Sequence, residues 1–383
     1  MDEVRVPADR PSEPTKATNE RTDRALERAA LRLLTGGGLL AGLTLQQVGD
    51  EVGVAKGLVY HYFGDRRALL RSALRHGAME LQDILRAVPD SSYDRRVGAF
   101  AKAALVYPAA VQLMTLLLID RDPRLRPMPL RGLMMQYFDR DARQGRLPAD
   151  ADFEALLGVQ NSLVYGYVLF RDGLARQMGV SRDVLDARFR RLVPVLGRRA
   201  AIADWSRPLL SLPALPPHRR TTAEVGIRGK LAAAVIDLIE EQGILAGVNL
   251  RALAERAGVH RGLVYHYFGS RRELLLAALR MYLPSSGPIT SDGGVPGDRL
   301  YAAGVRDNKP VRLMALLALD GDDSYAPLDK FGAHRKPTTR DVAGACLALG
   351  HALYRQPFAS EMGIPQKQWD RRVFSAWARV APE

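Results

Sequence analysis

Apolar residues return at helical spacing along most of this 383-residue chain, and no stretch shows the two-residue alternation of a half-buried strand. Near the N-terminus Leu26, Ala29, Ala30, Leu33 and Leu34 form one stripe. Leu45, Val48 and Val52 follow behind Thr44, predicting a short helix capped by a hydroxyl, and Gly53 supplies a turn. A second short helix over 55–62 turns Val59 and Phe63 inward and leaves Lys56, Leu58, His61 and Tyr62 outside. Leu69, Leu70, Ala73, Leu74 and Leu81 then predict a helix over 66–86, with further helices over 97–107, 110–119 and 130–140 and a long pair over 152–178 and 182–199.

The pattern is a repeat. Residues 57–64 and 262–269 are both Gly-Leu-Val-Tyr-His-Tyr-Phe-Gly, an offset of 205. The stripe before the motif returns as Leu231, Ala234, Val235, Leu238 and Ile239, so each copy has a three-helix core. Residues 111–120 correspond to 311–320 at an offset of 200, and 169–179 to 353–363 at 184. The shrinking offset places deletions in copy two, one around 284–297, read as a loop, and a larger one between Asp320 and the last helix pair. Pro208, Pro213, Pro216 and Pro217 mark a semi-extended tether between the copies.

The outer face of the duplicated short helix has no apolar reason to exist. A cation, two polar aromatics and an aliphatic group beside a glycine suit phosphates and base edges in a major groove. With its Gly-Val turn, a recognition helix ending in Tyr-x-x-Phe and a basic residue opening the next helix, each copy resembles the N-terminal DNA-binding domain of the TetR family of one-component transcriptional regulators. The resemblance implies an all-α fold of two tandem units, each a three-helix helix-turn-helix domain followed by a helical ligand-binding and dimerisation domain. The expected division is a disordered arm over 1–20, DNA-binding domain one over 21–76, ligand domain one over 77–203, the Pro-rich linker over 204–222, DNA-binding domain two over 223–283 and a reduced ligand domain two over 284–383.

Candidate DNA-contacting residues follow from position. Thr44 and Asn249 begin the first helix of each motif, where a phosphate site and a plain N-cap are compatible readings. Lys56 and Arg261 face guanine edges or phosphates, and Gly57 and Gly262 let the backbone approach. Leu58 and Leu263 stand where the family has a hydroxyl residue, leaving a thymine methyl as the natural contact. Tyr60 and Tyr265 are expected to pack within the motif, while His61, Tyr62, His266 and Tyr267 point at the groove. Arg66 and Arg271 resemble the family's basic phosphate contact. In ligand domain one Met114, Met134, Phe138, Tyr165, Tyr167 and Phe170, with Arg171, are the candidates for an effector cavity; plain core is the competing reading.

Composition adds limits. A net charge of +13 agrees with a polyanionic partner, although the arginines spread along the whole chain. Gly-x-Ser-x-Gly, phosphate-loop, His-Glu-x-x-His and paired-cysteine motifs are lacking, so neither an enzyme nor a metal site or cofactor is expected. No long apolar run suggests a membrane span, and a soluble cytoplasmic protein is expected. The expected function is a ligand-responsive regulator, a repressor released from its operator by a small molecule, with one chain acting as an intramolecular pseudo-dimer. Its partners would be double-stranded DNA with two unequal half-sites and an unknown effector bound mainly by copy one, with further homo-dimerisation left open. An activator, or a small-molecule binding protein with idle reading heads, are the competing readings.

Overall fold

The computed structural model describes residues 16–36, 44–87, 91–215, 226–243, 249–282, 295, 297–322 and 337–381, and within them all regular structure is helical. Reading head one comprises α1 (Lys16–Gly36), α2 (Leu45–Val52), α3 (Lys56–Phe63) and the start of α4 (Arg66–Arg86). Leu26, Ala29, Ala30, Leu45, Val48, Val59, Leu69 and Leu70 close its core. Gly53 ends α2 at φ 75°, a left-handed position that glycine takes without steric cost. One expectation is corrected: α1 begins at Lys16, within the stretch assigned to a disordered arm. Lys, Ala and Glu are good helix formers, and extending a nucleated helix costs little. The arm's residues 1–15 lie outside the described residues.

Ligand half one consists of α5 (Tyr93–Val106), α6 (Pro108–Ile119), α7 (Arg131–Arg143), α8 (Phe153–Met178) and α9 (Arg182–Ile202). The α6 helix starts two residues earlier than the apolar pattern indicates because Pro108 sits at its first turn, where a missing N–H costs nothing. Copy two repeats the plan with α10 (Ile227–Gln242), α11 (Leu250–Ala257), α12 (Arg261–Phe268), α13 (Arg271–Tyr282), α14 (Asp298–Arg306), α15 (Lys309–Leu319), α16 (Thr339–Met362) and α17 (Gln366–Val380). Both stretches expected to carry the deletions, most of 284–297 and the segment 323–336, lie outside the described residues. No single helix among those described is long and apolar enough to cross a membrane.

The two ligand halves share one bundle. Helices α8, α9, α16 and α17 pack together, and the most extensive contact is between α8 and α16. Their crossing is reciprocal: a Cβ placed on Gly166 would fall on the Cys346 carbonyl, and one placed on Gly350 would fall on the Ser162 carbonyl. At the offset of 184, Gly166 corresponds to Gly350 and Ser162 to Cys346, so each copy offers the other the same surface. Farther along, a Cβ on Gly158 would lie 2.7 Å from the Trp369 ring of α17.

Ion pairs repeat the symmetry. Arg171 pairs with Asp186 at 3.5 Å in copy one, and Arg355 with Asp370 at 2.5 Å in copy two. Tyr167 donates its hydroxyl to Asp186 at 2.6 Å; its counterpart is the buried His351, whose Nε2 donates to Asp370 at 2.9 Å.

The first part of the tether is fastened rather than free. Residues 203–215 form no helix, but the buried Trp205 donates from Nε1 to the Ala200 carbonyl. Arg379 of α17 lies over the Trp205 ring and donates to the carbonyls of Asp204 and Arg207. Leu210 N donates to Ser375 Oγ at 2.8 Å. Extended backbone with unpaired carbonyls is thus used as an acceptor row for copy two's last helix.

Candidate functional site

Both recognition helices are held by short-range geometry. In copy one, Thr44 and Gln47 cap α2 reciprocally: Gln47 N donates to Thr44 Oγ1 at 3.2 Å and Thr44 N to Gln47 Oε1 at 3.0 Å. Copy two has Ala252 in place of Gln47, and Asn249 Oδ1 instead accepts from both Arg251 N and Ala252 N. Val59 and Val264 anchor the recognition helices in their cores.

The outward surface carries Lys56, Gly57 and His61 in copy one and Arg261, Gly262 and His266 in copy two, all exposed, with Leu58 and Leu263 half-buried beside them. The tyrosines require a correction. Tyr60 and Tyr265, expected to pack inside, are 48% and 52% exposed, whereas Tyr62 is half-buried against the core and Tyr267 is 38% exposed. Helical rotation explains this: Val59 is the fully buried position, and the residue following it turns about 100° away from the core. Lys56 Nζ sits 5.5 Å from the Tyr60 ring, so a cation and an aromatic face share the exposed edge. Gly57 is open, with nothing within 4 Å of a Cβ placed there. In copy two the space is tighter, because His260 caps α12 and its Nδ1 accepts from Gly262 N at 3.2 Å.

Arg66 opens α4 and is half-buried; the side chain of Arg271, which opens α13, lies outside the described residues. The next arginine in each copy does what the sequence reading missed. Arg67 donates to Asp120 through Nε to Oδ2 at 2.5 Å and through Nη2 to the main-chain carbonyl at 2.9 Å, and Arg71 reaches Asp122 at 2.5 Å. In copy two Arg272 grips Asp320 at 2.9 Å and lies 3.5 Å from Asp322. These hydrogen-bonded carboxylates raise the Arg67 and Arg272 pKa values above that of a free guanidinium. Each clamp joins the helix leaving a reading head to the C-terminal end of α6 or α15. The signal was present in the duplicated Arg-Arg and Asp-x-Asp pairs, but only the fold brings residues 53 apart together.

The candidate effector residues do not form one wall. Phe138 stacks on Phe153 and meets Tyr93 edge-on, beside Met134 and a buried Arg96–Asp141 pair. Tyr165 packs among Phe100, Tyr354 and Phe358 and donates to the Pro127 carbonyl at 3.2 Å. Tyr167 stacks on Phe189 of α9, Met114 and Phe170 are buried core, and Arg171 is committed to Asp186. Their helical spacing serves interhelix packing in three separate groups.

Comparison with known proteins agrees with the duplicated head. The family model "Bacterial regulatory proteins, tetR family" matches twice, at residues 27–73 and 231–278. Relatives named HTH-type transcriptional regulator BetI are 33% identical over 105 residues in Burkholderia thailandensis, covering 27% of this chain and 49% of that protein, and 31% identical over 103 residues in Paraburkholderia phytofirmans. The Burkholderia ambifaria protein of the same name is 35% identical over 105 residues, or 27% of this chain and 50% of its own. The chain therefore spans about half the length of the curated relatives it matches. With the family's DNA-binding segment found twice, on two helix-turn-helix units of the same build, the chain carries two tandem DNA-binding domains of the TetR type.

Proposed function

We propose that this chain is a DNA-binding transcriptional regulator, a repressor whose two heads engage one double-stranded operator and are released by a small molecule. The observation that carries the reading is the duplicated outer face: the same octet, anchored by a buried valine and preceded by a cation, presents an exposed glycine, tyrosine and histidine in both heads. Among the described residues, nothing in the protein's own packing requires that surface to be polar and aromatic, whereas a major groove accepts it. The BetI proteins' description as transcriptional regulators supports the same class.

One chain would serve as its own dimer. The reciprocal Gly166–Gly350 crossing supports this, because it fills within one chain the surface that two protomers would otherwise share. Unequal half-sites follow from the residues ahead of the octet, Ala55-Lys56 against His260-Arg261. Footprinting of the DNA upstream of its own coding region tests the reading, with two protected, similar but non-identical half-sites about one helical turn of DNA (roughly 34–36 Å) or somewhat more apart as the expected outcome. Non-specific binding alone would overturn it. Light scattering should give one chain per particle, 42.2 kDa.

A further inference from the structure

A cleft of about 760 Å³ opens between the copies, where the loop after α6 meets α15 and α16. Its apolar wall includes Leu118, Leu125 and Leu353, and its polar wall brings together three guanidiniums, Arg121 and Arg126 from copy one and Arg312 from copy two. Its volume suits a small molecule, and its lining is mixed, mostly polar with one apolar wall. The cations suit an anionic head.

Among the described residues, none of these arginines is held in a salt bridge, although Arg126 lies within electrostatic reach of Glu361. Arg312 Nη2 donates to the Ile119 carbonyl and Arg126 Nη1 to the Leu125 carbonyl, both at 3.4 Å, and carbonyls leave the charge uncompensated. Of the carboxylates lining the cleft, Asp122 is taken by Arg71 and the Arg124 N–H, whereas Glu361 accepts from the Met128 N–H and also attracts Arg126 and Arg131, so the three guanidiniums still outnumber the carboxylate left facing them. Arg312 is desolvated in this position and lies close enough to Arg121 for their charges to repel, with Glu240 the opposing attraction. Arg121 and Arg126 are exposed at the cleft and Arg312 is half-buried, so an anion entering there meets cations that solvent still reaches, and like charges held close together favour its arrival.

The repeat supplies an internal control. At the offset of 200, Arg312 stands where copy one has Gln112, and Arg121 where copy two has Gly321. Arg121 has φ 54° and Gly321 φ 74°, the left-handed region in which glycine is at ease and arginine is not. Copy one therefore holds a strained arginine at the rim of this cleft where its duplicate uses the ordinary residue, and such strain gathers at functional sites.

From the juxtaposition of Arg121, Arg126 and Arg312 opposite the Leu118, Leu125 and Leu353 wall of a cleft between the copies, we infer a binding site for one organic anion per chain, a carboxylate, sulfonate or phosphate on an apolar body. The inference rests on the regulator reading for its purpose, and makes this anion the effector. The cleft shares Asp122 with the clamp on α4, so an occupant that pulls Arg121 toward itself moves the loop holding reading head one.

The test uses the full chain and two fluorescent probes of similar body, 8-anilinonaphthalene-1-sulfonate and the uncharged N-phenyl-1-naphthylamine. The expected result is one saturable sulfonate site per chain and at least tenfold weaker binding of the uncharged probe. R312Q and R121G, each installing the residue found in the other copy, should weaken sulfonate binding at least tenfold while melting temperatures stay at or above that of the parent. Unchanged sulfonate affinity in both folded variants, equal binding of the uncharged probe, or two equal sites per chain would overturn the inference. Gel shifts on the footprinted DNA separate the two readings. Specific DNA binding without the anion site removes only the cleft, and an anion site without specific DNA binding removes only the regulator.

Discussion

Replacing Gly57 by alanine separates the needs of the fold from those of the interface. Gly57 lies in the first turn of α3, is exposed, and a Cβ placed there meets nothing within 4 Å. The added methyl should therefore cost the protein nothing sterically, and reduced freedom of the unfolded chain should stabilise it by up to about 1 kcal/mol, less than a mid-helix change because the site is in the first turn. DNA pressed against this backbone would meet the same methyl. Overpacking a close contact costs roughly 1–3 kcal/mol, so operator affinity should fall about 5-fold to about 150-fold. Thermal unfolding reads the first effect and gel shift on the footprinted site the second. The copy-two equivalent, Gly262→Ala, is the harder case, since its Cβ would sit 3.3 Å from His260 Nδ1 and disturb a cap. Raised stability with unchanged operator affinity in Gly57→Ala would refute a close backbone approach at α3.

Further outcomes are expected elsewhere. Tyr60→Ala with His61→Ala should remove specific binding while circular dichroism keeps its helical signal, because both side chains are exposed; full binding would exclude this face from the interface. Gly350→Leu should force α8 and α16 apart and cost at least about 3 kcal/mol, seen as a drop in melting temperature or a change in particle mass by light scattering. Arg67→Ala should cost about 1 kcal/mol, since that side chain is 41% exposed although Asp120 is buried, and a loss above 3 kcal/mol would mean that the clamp supports more than one joint. Burial holds the His351 pKa below its ordinary value. In the native state it stays neutral, the unfolded chain takes up its proton first, and stability present above about pH 6.5 should fall by up to about 1.4 kcal/mol per pH unit as pH drops below it. His351→Gln should flatten that part of a melting-temperature profile, and an unchanged profile would rule the histidine out as its source.

The local code decided much of this protein in advance. Helical periodicity, a hydroxyl before Leu45, the Gly53 turn and the duplicated octet depend on neighbours a few residues apart, so they are legible wherever the chain is read. Small residues on long apolar helices likewise stand at the close approaches, Gly158, Gly166 and Gly350. Direction was harder. Tyr60 and Tyr62 differ by two positions on one short helix, and only the actual rotation of α3 about Val59 decides which ring faces out.

What tertiary structure alone decided are the encounters between distant residues. Arg67 reads as one more surface cation until α6 delivers Asp120, and Arg171 as an effector ligand until α9 delivers Asp186. The cleft draws Arg121 and Arg312 from different copies, and sequence periodicity holds no term for two arginines 191 positions apart sharing a wall. A long-range pair forms only when the fold has already met the entropy of closing the chain between its members, so its location follows from the packing of whole helices and not from any local preference.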